Sequence, residues 1–229
     1  MKTLVNVARY HLVDRITYVA LPWGILVFSF LINLAISAMA PQPPGGIYSG
    51  GLVTIYIFLL ICGVSSMTRE LPFGLMLGVS RRSYYLGTAL LVLALGIAYG
   101  LALTVLQAIE RASGGWGSSL HFFRVPWIMD GPWYQIWVTS FVLLVLFFLY
   151  GMWYGLVYRR WSLVGLLTFV AAQMLVVLAF AAVLTLTHDW TAFGHFFTTV
   201  RAPALTGVLA VVTIALGLGG FGTIRRAAI

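Results

Sequence analysis

Long apolar runs separated by short polar segments are the dominant pattern along this chain. A helix of about 20 residues, rising 1.5 Å per residue, crosses the roughly 30 Å hydrocarbon core of a bilayer. Runs of at least that length recur throughout the sequence, so the pattern predicts six transmembrane helices. Their expected positions are about 17–40, 48–68, 84–109, 134–158, 162–187 and 203–224.

The segment before the first run has a different periodicity. In residues 1–16, charged positions are interleaved with apolar ones that recur every fourth residue: Leu4, Ala8, Leu12 and Ile16. That spacing puts the apolar side chains on one helix face, which predicts an amphipathic helix at the membrane surface. The run that follows is too long for the apolar part of a signal peptide, so we expect it to stay as the first span.

Composition agrees with a membrane protein. Hydrophobic residues make up 62% of the 229 residues and charged residues 8%, with a mean hydropathy of +1.02. Soluble domains average about 25% charged residues. We therefore predict an all-α integral membrane protein with a single transmembrane domain, residues 1–229, and the lipid bilayer as its surroundings.

The basic residues predict the orientation. They form short clusters between the apolar runs and not one patch, so no nucleic-acid partner is expected. With the N-terminus inside, ten Arg and Lys residues fall on inner segments and three on outer ones. The inner ones are Lys2, Arg9, Arg15, Arg69, Arg81, Arg82, Arg159, Arg160, Arg225 and Arg226. By the positive-inside rule both termini are cytoplasmic, and we expect a bacterial plasma membrane.

The sequence contains few candidate catalytic or metal-binding residues. A phosphate-binding loop needs a lysine within G-x-x-x-x-G-K-[ST], and Lys2 is the only lysine. His188, Asp189 and His195 come nearest to a metal cluster, but their spacing matches no pair of ligands on one helix. Cys62 is the only cysteine. We expect no catalytic residue, metal or cofactor in this chain.

Few polar groups lie inside the predicted spans. Ion-coupled transporters usually keep ionisable side chains there, whereas here none lies clearly within a span, and Glu110 falls at the end of the third. Asn33 and Gln173 are the most polar positions inside spans, and each is a candidate for a hydrogen bond between helices or for the substrate path. Gly96-x-x-x-Gly100 and Gly151-x-x-x-Gly155 predict close helix packing. If this protein moves a substrate, the energy must come from elsewhere.

The connection after the second span is the most specific feature. It is short and basic and yet rich in apolar residues, and Pro72 suits the first turn of a helix. One interpretation is an interfacial helix lying among lipid headgroups, and the other is a docking helix for a cytoplasmic partner. The candidate docking residues are Arg69, Glu70, Leu71, Phe73, Leu75, Leu77, Ser80, Arg81 and Arg82.

This segment resembles the permease subunits of ABC transporters of the type-2 exporter class. Those permeases carry R-E, a leucine-rich stretch, a P-V-S-R-like turn and L-G-K between their second and third spans. The corresponding residues here are Arg69-Glu70, Leu71 to Leu77, Gly78-Val79-Ser80-Arg81-Arg82 and Leu86-Gly87-Thr88. Gly78 replaces the proline and Thr88 the lysine. The motif covers about twenty residues, and the expected architecture of a surface helix and six spans is similar over the whole length.

The resemblance implies a transporter that is driven by another subunit. ATP and Mg²⁺ would bind on a separate cytoplasmic ATPase, and two permeases, a homodimer or a pair with a paralogue, would form the pathway. The segment after the second span would act as a coupling helix, with its arginines and Glu70 as polar contacts and Phe73 and the leucines as apolar ones. The scarcity of charge in the spans favours an amphipathic or hydrophobic substrate. Two alternatives remain open, a membrane scaffold or regulatory subunit without transport and a lipid-modifying enzyme.

Overall fold

The computed structural model describes residues 16–40, 43, 45–126 and 128–226. The predicted surface helix falls on residues 1–16 and therefore lies almost wholly outside the described residues. The described residues are all-α, as predicted, with 84% of them helical. The helices are α1 (Leu21–Met39), α2 (Val53–Ser65), α3 (Leu71–Met76), α4 (Arg81–Ala112), α5 (Trp133–Leu186), α6 (Trp190–Thr199) and α7 (Ala202–Arg226). Wider π-helical turns, Ile16–Ala20 and Ser66–Glu70, precede α1 and α3.

Five helical stretches in the described part of the chain are long and apolar enough to cross a membrane. They are Ile16–Met39, Val53–Met76, Arg81–Ala112, Trp133–Leu186 and Ala202–Ile224. The fourth has 54 residues, far more than the roughly 20 that a bilayer requires. It therefore contains more helix than one crossing can use.

The helix α5 folds back on itself at Ser162. The backbone of that residue has φ 57° and ψ −159°, which is not helical. The Tyr154 hydroxyl donates a hydrogen bond of 2.5 Å to Oε1 of Gln173, whereas a straight helix would separate these residues by about 28 Å. Thus α5 consists of two antiparallel arms, residues 133–161 and 163–186, which coincide closely with the fourth and fifth predicted spans.

The first arm of α5 is the centre of the bundle and packs against α2, α4 and α7. Its contact with α2 is close enough to exclude side chains. A Cβ atom on Gly151 would lie 2.0 Å from the Leu60 carbonyl oxygen, and one on Gly63 would lie 2.1 Å from the Phe148 carbonyl oxygen. This confirms the close packing predicted for the glycine pair that includes Gly151. The second arm, in contrast, is exposed along most of its length.

Two boundaries differ from the sequence prediction. The second span was expected to begin near residue 48, but Ile47–Tyr48 forms a strand, β1, that pairs in parallel with β2, Leu120–His121. The helix α2 therefore begins only at Val53. Likewise, residues 188–201 were expected to be a loop but contain α6. Trp190 and Phe193 lie one helical turn apart and their rings are in contact, with centroids 6.3 Å apart, which favours a helix there.

Candidate functional site

The candidate docking residues, Arg69 to Arg82, begin within a π-helical turn that starts at Ser66, and we call residues 66–82 the docking segment. Its short helix, α3, has two defined ends. Pro72 lies in the first turn of α3. Proline fits there because a backbone N–H in the first turn has no hydrogen-bond partner within the helix. The helix ends at Gly78, whose φ of +79° is left-handed, and the Val79 N–H returns to the Gly74 carbonyl at 3.1 Å. This is the glycine-terminated helix end known as a Schellman motif. The left-handed φ explains physically why glycine stands at position 78.

The apolar residues of this segment face in two directions. Leu71 is buried in the core, and Leu75 is packed against it. Phe73, Met76 and Leu77 point outward, with 48%, 84% and 63% of their surface exposed. The predicted docking residues are therefore divided: Leu71 supports the segment from behind, and the outer surface includes Met76, which sequence reasoning had not singled out. We call Phe73, Met76 and Leu77 the apolar tip.

Arginines surround the apolar tip. Arg69 and Arg82 are exposed and Arg81 is half-buried. Ser80 starts α4 as its N-cap, since its Oγ accepts a hydrogen bond of 3.2 Å from the Ser83 N–H. The turn of α5 lies at the same end of the bundle, because Arg159 Nη1 donates to the Met67 carbonyl at 3.4 Å. We call this end of the bundle the basic end.

Glu70, predicted as a polar docking contact, has an oxygen that faces the bundle. Its Oε1 accepts a hydrogen bond of 2.7 Å from the Tyr18 hydroxyl, and the Tyr18 carbonyl accepts one of 2.5 Å from the Tyr99 hydroxyl. The Tyr84 hydroxyl donates to the Ser66 carbonyl at 2.7 Å. Through these bonds the docking segment is attached to the start of α1 and to α4. The structure thus gives Glu70 an internal connection that periodicity could not reveal.

The two candidates for a substrate path both make hydrogen bonds within the chain. Asn33 Nδ2 donates to the Ser29 carbonyl at 2.8 Å, and its Oδ1 accepts from the Ser49 hydroxyl at 2.6 Å. Gln173 accepts from Tyr154 across the two arms of α5. The structure does not join Asn33 and Gln173 by a hydrogen bond. The Gln173 contact corresponds to the alternative of a hydrogen bond between helices, whereas Asn33 bonds within its own helix and to Ser49, which lies outside the helices.

Sequence reasoning missed the role of Glu110 at the opposite end of the bundle. Its side chain is 1% exposed, and Oε2 accepts three hydrogen bonds, from Trp116 Nε1 at 3.1 Å and from the backbone N–H groups of Phe122 and Phe123 at 2.9 Å each. Its Oε1 lies 3.9 Å from Nδ1 of His121. Glu110 therefore holds residues 113–126 and 128–130, which we call the cap, against the end of α4. The only sign of this role in the sequence was a single acidic residue at the end of a long apolar run.

Further polar contacts fix the far side of the cap. Gln107 Nε2 and Arg111 Nη2 both donate to the Met129 carbonyl, at 2.7 and 2.9 Å. Arg124 Nε donates to Asp130 Oδ1 at 2.5 Å, and this hydrogen bond raises the pKa of the Arg124 guanidinium above its ordinary value. In the described part of the chain, no group of three His, Cys, Asp or Glu side chains is placed to hold a metal ion. The cap is a structural element built from hydrogen bonds.

Comparison with known proteins adds no relative. No protein-family model matches this chain, and neither the characterised proteins nor the solved structures contain a match.

Proposed function

We propose that this chain is the permease subunit of an ABC exporter, embedded in a bacterial plasma membrane through six spans with both ends in the cytoplasm. Two observations support the spans and the orientation. The two arms of α5 turn five apolar stretches into six membrane-length segments. In addition, five arginines lie at the basic end: Arg69, Arg81, Arg82, Arg159 and Arg160. An excess of arginine and lysine is typical of cytoplasmic loops.

The apolar tip is the observation that carries the proposed transport function. Met76 and Leu77 are among the most exposed apolar side chains at the basic end, and arginines flank them. Burying such surface on a partner is favourable by about 25 cal/mol per Å², while arginines around the rim would meet carboxylates of that partner. An apolar centre with a charged rim is the usual composition of a protein–protein contact. We therefore interpret residues 66–82 as the coupling helix for a cytoplasmic ATPase.

In this proposal the chain itself binds neither ATP nor Mg²⁺, both of which belong to the ATPase subunit. A second permease, identical or paralogous, completes the pathway. Movement of the docked segment is passed on through the Tyr84–Ser66 hydrogen bond to α4 and through the Glu70–Tyr18 hydrogen bond to α1. The substrate is amphipathic or hydrophobic, since charged side chains are scarce in the spans.

The proposal is tested by co-purification from the native membrane with two variants of the apolar tip and one control variant. Met76→Asp and Leu77→Asp place a charge on the apolar tip without disturbing the core, and both should lose the ATPase subunit and the associated ATP hydrolysis. Met39→Asp is the matched control, because Met39 is 87% exposed, much like Met76 at 84%, but lies at the far end of α1. It should retain the ATPase.

Two results would contradict this function. The first is a wild-type protein that is intact and brings down no P-loop ATPase, which would favour the scaffold or regulatory subunit. The second is full retention of the ATPase by both Met76→Asp and Leu77→Asp, which would place the docking surface elsewhere.

A further inference from the structure

An apolar groove runs along the outside of the bundle between α4, the first arm of α5 and α7. Its volume is about 500 Å³, within the range of roughly 300–1,000 Å³ that small-ligand sites occupy. Val92, Leu149 and Phe221 line its interior, and Leu93 and Leu218 form an exposed rim. The groove is therefore open to the surroundings of the bundle and not to its centre.

The groove has the length of one leaflet. It follows α4 from Arg82 to Leu93, about 16 Å at 1.5 Å per residue. Half of a roughly 30 Å hydrocarbon core is about 15 Å. A single acyl chain lying along α4 would therefore fill the groove from the interface to the middle of the bilayer.

One end of the groove is positively charged. Arg82 lines it there and makes no hydrogen bond or ion pair with any residue that the structure describes. It lies in the first turn of the 32-residue helix α4, where the helix dipole also favours an anion. The C-terminus of the neighbouring α7 lies at this same end of the groove. Tyr85 donates a hydrogen bond of 2.7 Å to the Gly217 carbonyl, and α7 then continues to Arg226.

We propose that this groove binds an anionic glycerophospholipid of the leaflet on the basic side, with one acyl chain along α4 and the phosphate at Arg82. The apolar lining alone would also accept a helix of a second copy, but it would not explain an unpaired arginine at the interface end. Basic pockets between transmembrane helices on the cytoplasmic side are typical sites for anionic headgroups. This lipid site requires only that the chain spans a membrane, so it does not depend on the proposed ATPase partner.

The test is native mass spectrometry of the purified chain in neutral detergent, titrated with phosphatidylglycerol or with phosphatidylcholine of the same acyl chains. Wild-type protein should retain one phosphatidylglycerol in preference to phosphatidylcholine. Arg82→Gln should weaken phosphatidylglycerol binding about five-fold, the effect of one basic residue near the surface, and remove the preference. Arg160→Gln is the matched control, an exposed arginine at the same end that does not line the groove, and should bind as wild type does.

A second pair of variants tests the acyl-chain part of the site. Ala89→Phe fills the groove and should abolish retention of either lipid, whereas Ala98→Phe, at an exposed position of α4 outside the groove, should not. Equal binding of the two lipids by wild type, or unchanged binding by Arg82→Gln and Ala89→Phe, would overturn the proposal. A dimer that Ala89→Phe dissociates while lipid retention is unchanged would assign the groove to a second copy instead.

Discussion

Removing the Glu110 carboxylate should destabilise the protein more than removing any exposed acidic group. In Glu110→Ala, three donors lose their acceptor: the Trp116 indole and the backbone N–H groups of Phe122 and Phe123. A buried donor left without a partner costs about 1–3 kcal/mol. Even at the lower end, the loss of unfolding free energy is about 3 kcal/mol. Glu110→Gln keeps an acceptor oxygen and loses only the charge, so about half of that loss is expected.

The chain contains its own probe for this measurement. Cys62 is the only cysteine and is 1% exposed, so a fluorogenic thiol reagent reacts with it only when the bundle opens. At about 2–4 °C per kcal/mol for a chain of this size, the unfolding midpoint of Glu110→Ala should fall by about 6–12 °C, and that of Glu110→Gln by about half as much. Asp189→Asn is the control, because Asp189 is exposed and surface changes stay within about 0.5 kcal/mol.

The reasoning is refuted if Glu110→Ala unfolds within about 2 °C of wild type, on the same scale of 2–4 °C per kcal/mol. That result would mean that water or other groups satisfy the three donors and that the carboxylate does not hold the cap. An equal fall for Glu110→Gln and Glu110→Ala would show that the negative charge matters, rather than the presence of an acceptor.

Three further changes can be followed with the same thiol assay. Gly151→Ala should lower the free energy of unfolding by about 1–3 kcal/mol, and the midpoint with it, since its Cβ would lie 2.0 Å from the Leu60 carbonyl oxygen. An unchanged midpoint would mean that α2 and α5 separate easily. Ser162→Gly should raise the free energy of unfolding by about 1 kcal/mol, because φ 57° and ψ −159° lie in a region almost restricted to glycine. A lower midpoint would show that the backbone of Ser162 is not strained. Gln173→Leu removes one hydrogen bond to Tyr154 and should cost only about 0.6 kcal/mol. The proposed export should be unchanged in this variant. A loss of export at normal stability would instead assign Gln173 to the substrate path.

The sequence predicted the helices well because run length and hydropathy are local properties. The expected span at 134–158 lies within the first arm of α5, and the expected span at 162–187 differs from the second arm by one residue at each end. Hydropathy could not show that Ser162 alone makes the reversal, leaving the two arms almost continuous. The short helix α3 was predicted from Pro72, a signal contained within a single turn.

The features that were missed depend on contacts between distant residues. The pairing of Ile47–Tyr48 with Leu120–His121 joins segments about 70 residues apart, and two-residue strands leave no periodicity to detect. Two of the three donors to Glu110 are backbone N–H groups, which every residue except proline carries, so no motif marks them. The exposure of Met76 and the burial of Leu71 follow from the angle at which α3 meets the bundle, which the apolar pattern alone does not contain.

The helix α4 connects the two ends at which the polar contacts are concentrated. It runs without a break from Arg81 to Ala112, about 48 Å at 1.5 Å per residue. It begins at the docking segment and carries Glu110, which holds the cap, in its last turn. A long helix with both ends fixed transmits displacement as a rigid body, because its backbone hydrogen bonds resist bending and its side chains are closely packed. If an ATPase moves residues 66–82, α4 is therefore the element that carries the movement to the cap, and a loosened cap in Glu110→Ala should weaken export without releasing the ATPase.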